Sequence, residues 1–223
     1  MTASPVRPSA RGDTPRRVTV KICGITREAD ARAAAAAGAD YLGFVFYPAS
    51  RRCLDEAAVA WIRELAGAKK VGVFRDQDLD LVRRVREAAR LDLVQLHGEE
   101  SPAACAELGG PGRVIKAIAP SRTLDWGRVA AYREVARVLF DTPSASGGGT
   151  GRAFDWRRLG GRPADLEFWL AGGLTPDNVG AAVRELRPAG VDVASGVEAA
   201  LGRKDPAKIR SFVAAVREAE LER

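Results

Sequence analysis

The chain has 223 residues, 46% hydrophobic and 29% charged, a globular composition long enough for a sizeable core and short enough for one α/β barrel. No apolar run reaches the roughly 18 residues of a membrane span, so contact with a membrane is not expected. The formal charge is +6, with signs interleaved as in Arg83-Arg84-Val85-Arg86-Glu87, which argues against nucleic acid as a partner and suits a small anionic ligand.

Residues 1–17 read as a disordered basic arm. They are polar and proline-containing, carry Arg7, Arg11, Arg16 and Arg17 against Asp13, and lack the hydrophobic stretch of a signal peptide. A cytoplasmic protein is expected. Residues 18–223 show no linker and read as one domain. The three cysteines, Cys23, Cys53 and Cys105, form an odd set without zinc-ligand spacing, and His97 is the single histidine. A disulfide framework or a metal site is therefore not expected.

From Val18 onward one phrase recurs: a short apolar run, a turn, an amphipathic stretch. The first run, Val18 to Ile22, is rich in β-branched residues and ends on Cys23-Gly24. Helix patterns follow at Glu28–Ala37, Asp55–Leu65, Leu79–Ala89, Pro102–Leu108, weakly at Trp126–Val135, briefly from Asp155, then at Pro176–Leu186 and Pro206–Glu220. The later apolar runs begin near Tyr41, Lys70, Leu91, Val114, Arg137, Glu167 and Gly190. In the last helix Ile209, Phe212, Val213 and Val216 follow an i, i+3, i+4, i+7 stripe. Strands alternating with helices imply parallel pairing and right-handed crossovers. Eight such units predict a single (β/α)8 TIM barrel; a miscounted strand would leave a doubly wound sheet.

A barrel of this kind keeps its chemistry where strands end and helices begin. Cys23 stands at the first such end, as a working thiol or as a small buried hydrophobe. Gln95 and His97 end the fourth run, and His97 is a base or a hydrogen-bonded structural residue. Asp141 closes the sixth run, Val138-Leu139-Phe140, where an unpaired carboxylate is costly; it is a catalytic group, a ligand group or a cap. Arg51-Arg52 follows the second run, and adjacent arginines often form a solvated pair. Glycines gather at the sixth, seventh and eighth ends: Gly147 to Gly151, Gly172-Gly173 and Ser195-Gly196. Backbone N–H groups reach an anion most closely where no Cβ intervenes. These loops, with Val197 to Leu201 read as a short extra helix, predict a phosphate site.

The phrases KICGIT at Lys21–Thr26, GFVFYPASRR at Gly43–Arg52, QLHGEE at Gln95–Glu100, GGGTGRAFDW at Gly147–Trp156, AGGLTPDNV at Ala171–Val179 and VDVASGVE at Val191–Glu198 occur in this order. Together they resemble the phosphoribosylanthranilate isomerases of tryptophan biosynthesis, from Val18 to the C-terminus. The resemblance implies an Amadori-type isomerisation of N-(5-phosphoribosyl)anthranilate to 1-(2-carboxyphenylamino)-1-deoxyribulose 5-phosphate by acid–base chemistry, without a cofactor or metal. It implies Cys23 as general base and Asp141 as general acid, with Arg52 on the anthranilate carboxylate. Gln95, Gly149, Gly151, Gly172, Gly173, Ser195 and Gly196 are the further substrate-binding residues to be expected. The expected partner is this phosphorylated small molecule, bound by a monomer or homodimer. The chain departs from the family pattern at Ala171, where serine is frequent, and at Cys53, where an aromatic is. Lys21 is expected to point away from Cys23 if the strand alternates, leaving the substrate's iminium charge to lower the thiol's pKa. Two other readings are a related aminoaldose isomerase, which would use two aspartates, and a barrel that binds a phosphorylated ligand without catalysis.

Overall fold

Parallel strands buried on both faces read as continuous apolar runs, and the eight runs of this chain become eight parallel strands. The computed structural model describes residues 17–120, 124–142 and 155–222. In chain order the barrel strands and their helices are β1 (Thr19–Ile22), α1 (Glu28–Ala36), β2 (Tyr41–Val45), α2 (Glu56–Glu64), β3 (Lys69–Phe74), α3 (Leu79–Ala88), β4 (Leu93–Leu96), α4 (Pro102–Glu107), β5 (Val114–Ile118), α5 (Trp126–Arg133), β6 (Arg137–Phe140), β7 (Phe168–Leu170), α6 (Val179–Leu186) and β8 (Gly190–Val193). A hairpin of β9 (Glu198–Ala200) and β10 (Arg203–Lys204) follows, then α7 (Pro206–Leu221). The strands close in sequence order, and β8 returns to pair with β1 in parallel. The predicted (β/α)8 barrel is the observed fold.

Side chains of successive strand residues point to opposite faces. Val18, Val20 and Ile22 pack outward into the layer shared with the helices, which also takes Ile209, Phe212, Val213 and Val216 of the predicted stripe. Tyr41, Val71, Leu93, Ile115, Leu139 and Trp169 point inward and plug the lower barrel. Cys23, Val45, Tyr47 and Val73 form a separate inward group above them. Aspartate or serine caps tie down helix starts: the side chains of Asp55, Asp78, Ser101, Asp125 and Asp205 each accept a backbone N–H of the first turn.

Three local expectations change. The segment from Asp155 is a single 3-10 turn, Trp156–Leu159. The helix expected from Pro176 begins at Val179, because Asn178 turns back on the loop: its Oδ1 accepts from Thr175 N at 2.8 Å and its Nδ2 donates to Gly173 O at 2.9 Å. The short helix expected at Val197 to Leu201 is instead a 3-10 turn at Ser195–Val197 followed by the β9–β10 hairpin. Gly202, at φ +72°, makes the bend, and Glu198 is drawn inward by two cations. Among the described residues no helix is long and apolar enough to cross a membrane.

Candidate active site

The C-terminal ends of the strands surround an open hollow of about 600 Å³. Cys23, Arg52, Gln95, Asp141, Gly172, Gly173 and Ser195 all line it, together with His97 and Asp192. Gly196 lies behind this wall. The expected residues Gly149 and Gly151 fall outside the described residues.

Cys23 continues β1 and remains in register, its N–H bonded to Val193 O at 2.8 Å. Residues two apart on a strand share a face, so Lys21 points into the barrel beside Cys23, contrary to the expectation that it points away. Lys21 is fully buried and donates to Asp192 Oδ2 at 2.8 Å. A Cβ on Gly43 would lie 2.7 Å from Cys23 Sγ and 3.1 Å from Lys21 Nζ; only a bare Cα leaves both groups room. Burial pushes the Cys23 thiol up, the Asp192 charge pushes it further, and Lys21 and Lys204 pull it down, with a net rise. Burial opposes the charge on Lys21, but Asp192 and the Cys23 sulfur hold the ammonium above its ordinary value.

Asp141 ends β6 across the hollow. Its Oδ1 accepts from Thr142 N at 2.7 Å, and its Oδ2 lies 3.2 Å from His97 Nε2. Gln95 Nε2 is 3.1 Å from His97 Nδ1. With the amide donating there, Nδ1 accepts and the ring proton sits on Nε2, facing Asp141. Gln95 is buried, and its Oε1 has no hydrogen-bond partner among the described residues. It is an acceptor already stripped of water beside the hollow.

Arg52 is no solvated half of an arginine pair. It is buried, and its Nε and Nη2 donate to the two oxygens of Glu198, each at 2.7 Å. This fork-to-fork bond fixes the guanidinium plane and leaves Nη1 for another acceptor. Lys204 Nζ completes the cluster at 3.1 Å from Glu198. Burial works against the Glu198 charge, but the Arg52 hydrogen bonds and the Lys204 charge outweigh it and hold the carboxyl below its usual range. Gly24, at φ +68°, supports the arginine from beneath, since a Cβ there would stand 2.5 Å from Arg52 Cδ.

Gly172 and Gly173 both take left-handed φ, +86° and +67°. A Cβ on Gly172 would fall 2.5 Å from Thr142 N, and one on Gly196 would strike the Leu174 carbonyl. The loops after β7 and β8 are thus pressed together through glycines, with their backbone beside the hollow. Asp192 and Glu198 went unrecognised as site residues in the sequence. The available signal was an acid inside the phrase VDVASGVE and another at its end. Lys116 donates to Glu100 at 2.8 Å outside the barrel, where it anchors the loop carrying His97. Among the described residues no cluster of His, Cys, Asp and Glu could hold a metal ion.

Comparison with known proteins gives a consistent result. The profile of the N-(5'-phosphoribosyl)anthranilate (PRA) isomerase family matches residues 20–215. The N-(5'-phosphoribosyl)anthranilate isomerase of Chromohalobacter salexigens is 50% identical over 206 residues, covering 90% of this chain and 94% of that one. The crystal structure of phosphoribosyl anthranilate isomerase from Thermus thermophilus superposes with a TM-score of 0.78 at 40% identity, covering 90% of this chain and 99% of that one. A phosphoribosyl anthranilate isomerase in complex with reduced 1-(o-carboxyphenylamino)-1-deoxyribulose 5-phosphate gives 0.78 at 37% identity, covering 90% and 99%.

Proposed function

The chain belongs to the N-(5'-phosphoribosyl)anthranilate isomerase family, and from that premise we propose how its residues divide the work. The enzyme isomerises N-(5'-phosphoribosyl)anthranilate to 1-(2-carboxyphenylamino)-1-deoxyribulose 5-phosphate, an aldose-to-ketose conversion in tryptophan biosynthesis. Asp141 is the general acid. It gives a proton to the furanose ring oxygen as the C1'–O bond breaks, and the anthranilate nitrogen becomes an iminium. The N–H groups of Thr142 and His97 then face the carboxylate that remains. The iminium acidifies the C2' hydrogen. Cys23, as thiolate, removes that proton. The resulting enolamine tautomerises to the ketone, so no electron leaves the substrate.

Binding follows from the same geometry. Arg52, clamped by Glu198, offers its remaining edge to the anthranilate carboxylate. Gln95 Oε1 accepts a ribose hydroxyl. The backbone of Gly172, Gly173, Ser195 and Gly196 takes the phosphate, joined in this reading by Gly149 and Gly151. Residues 18–223 form the catalytic domain, and the enzyme works in the cytoplasm; of the arm expected at residues 1–17, all but Arg17, which pairs with Asp40, lies outside the described residues.

One observation carries the assignment of roles: a thiol from β1 and a carboxyl from β6 line the same hollow. The test follows the decay of substrate fluorescence. Cys23→Ser and Asp141→Asn should each lower turnover by at least about two orders of magnitude while the far-UV spectrum stays unchanged. Turnover retained in both would overturn the roles.

A further inference from the structure

Two charged neighbours of the thiol lie beneath it, inside the barrel. Lys21 is on the same strand, two residues back. Asp192 is its register partner on β8, the strand that closes the barrel. The Lys21 ammonium donates to Asp192 Oδ2 at 2.8 Å and crowds with the sulfur against the bare Cα of Gly43. Lys21 is fully buried, is not part of the hollow's wall, and has no route to substrate.

We propose that Lys21 is a positioning residue for the reaction: its ammonium, shared between Asp192 and Cys23, sets how much of the thiol is ionised before substrate arrives. This rests on the reading of Cys23 as the base. Burial pushes the Asp192 carboxyl up, while the Lys21 ammonium bonded to it favours its charged form; in the ionised pair the two opposite charges nearly cancel at the sulfur, so Asp192 acts as a brake on Lys21. The thiol is held mostly protonated in the resting enzyme, where a free thiolate would be open to oxidation. It keeps a cation against it that favours the thiolate once the iminium adds a second positive charge.

The other charged or titratable groups facing Cys23 are Lys204 from β10 and Arg52 and Tyr47 from the loop after β2. Lys204 and Arg52 are each bonded to Glu198. Asp141 and His97 face Asp192 from the far side. Lys21, Lys204 and Arg52 are the cations facing the thiol; the last two are bonded to Glu198, and Lys21 alone of the three is the register partner of Asp192.

The test is pulse alkylation of the intact, substrate-free enzyme with iodoacetamide from pH 6 to 11, quantified by mass on the peptide containing Cys23. Cys53 and Cys105 are read separately in the same digest. In wild type the labelling midpoint should lie above the free-thiol value of about 8.5. Asp192→Asn releases the brake: the midpoint falls by about one unit, and labelling at pH 7 rises about tenfold. Adding Lys21→Met to Asp192→Asn should return it to the wild-type value or above. If Asp192→Asn does not fold, Lys21→Met alone decides. The proposal expects it to raise the midpoint and slow labelling several-fold at pH 7.5, whereas a merely loosened structure would speed it. An unmoved midpoint in folded Asp192→Asn, an equal fall in the double variant, or faster labelling in Lys21→Met would overturn the proposal. Alkylation needs no turnover. A failure here is therefore distinct from a failure of Cys23 as base, which Cys23→Ser reports.

Discussion

Replacing Glu198 by glutamine keeps the side chain's shape and removes one negative charge from beneath two cations. Glu198 accepts both donors of Arg52 at 2.7 Å and Lys204 at 3.1 Å, and the Arg52 and Glu198 side chains are only 10% and 7% exposed. Breaking a buried ion pair by removing one partner typically costs about 3–5 kcal/mol. This pair borders an open hollow, so the lower end, about 3 kcal/mol, is the better figure. A chain of this length loses about 2–4 °C of Tm per kcal/mol, which predicts a fall of about 6–12 °C at pH 7. The catalytic effect should appear in KM. An arginine no longer held in plane presents its free edge in many directions, and a loss of about 1.4 kcal/mol in binding raises KM about tenfold, while kcat changes less than about threefold. The pH dependence has a fixed sign. Glu198 is more acidic folded than unfolded, so its stabilisation is complete above the unfolded value of about 4.3 and disappears as pH falls through the lower folded value. The Tm gap between wild type and variant should therefore close in acid below about pH 4. Calorimetry and initial rates by fluorescence measure both quantities. A Tm change under about 2 °C together with an unchanged KM would refute the claim that Glu198 holds Arg52 in place.

Gly172→Ala places a methyl group against Thr142 in a left-handed conformation. It should raise both KM and the inhibition constant of inorganic phosphate by at least about tenfold, leaving the Cys23 labelling profile unchanged; normal phosphate inhibition would remove this loop from the anion site. Cys105 is fully buried, and burial pushes its thiol up to about 11. The unfolded thiol ionises near 8.5, so Cys105 favours the folded state below that pH and loses its contribution as pH rises from about 8.5 toward 11. Thermal melts across that range should steepen their decline in wild type relative to Cys105→Ala, and identical slopes would contradict the buried, protonated thiol.

How much of this was legible in the chain follows from which contacts are local. The eight strands could be read because each carries its own apolar run, and Cys23 and Asp141 because each ends one. Lys21 was misjudged by one step of the pleat: the strand keeps its register through Cys23, so the two residues share the interior face. Glu198 looked like the start of a helix because Glu-Ala-Ala-Leu favours one. The structure overrides that preference with Arg52, 146 residues away in sequence, and with the bend at Gly202. Asp192 shows locally only as an acid inside an apolar phrase; its partner is 171 residues distant and meets it only when β8 closes on β1.

The same distances explain the design of the site. Lys21 with Asp192 joins the first strand to the last, Arg52 with Glu198 joins the second loop to the hairpin after the last strand, and His97 with Asp141 bridges the fourth strand end to the sixth. The proposed acid and the proposed carboxylate-binding group are thus each held by a partner from a different βα unit, and so is the lysine beside the proposed base. Unclosed barrel fragments would lack these pairs, however well their own strands formed. The buried charges could not be stable in an open sheet, because each would lose its counter-ion while staying in the apolar interior. Closure and the assembly of the site are therefore one event, and the β9–β10 hairpin, which supplies Glu198 and Lys204, belongs to the proposed catalytic apparatus as much as any barrel strand.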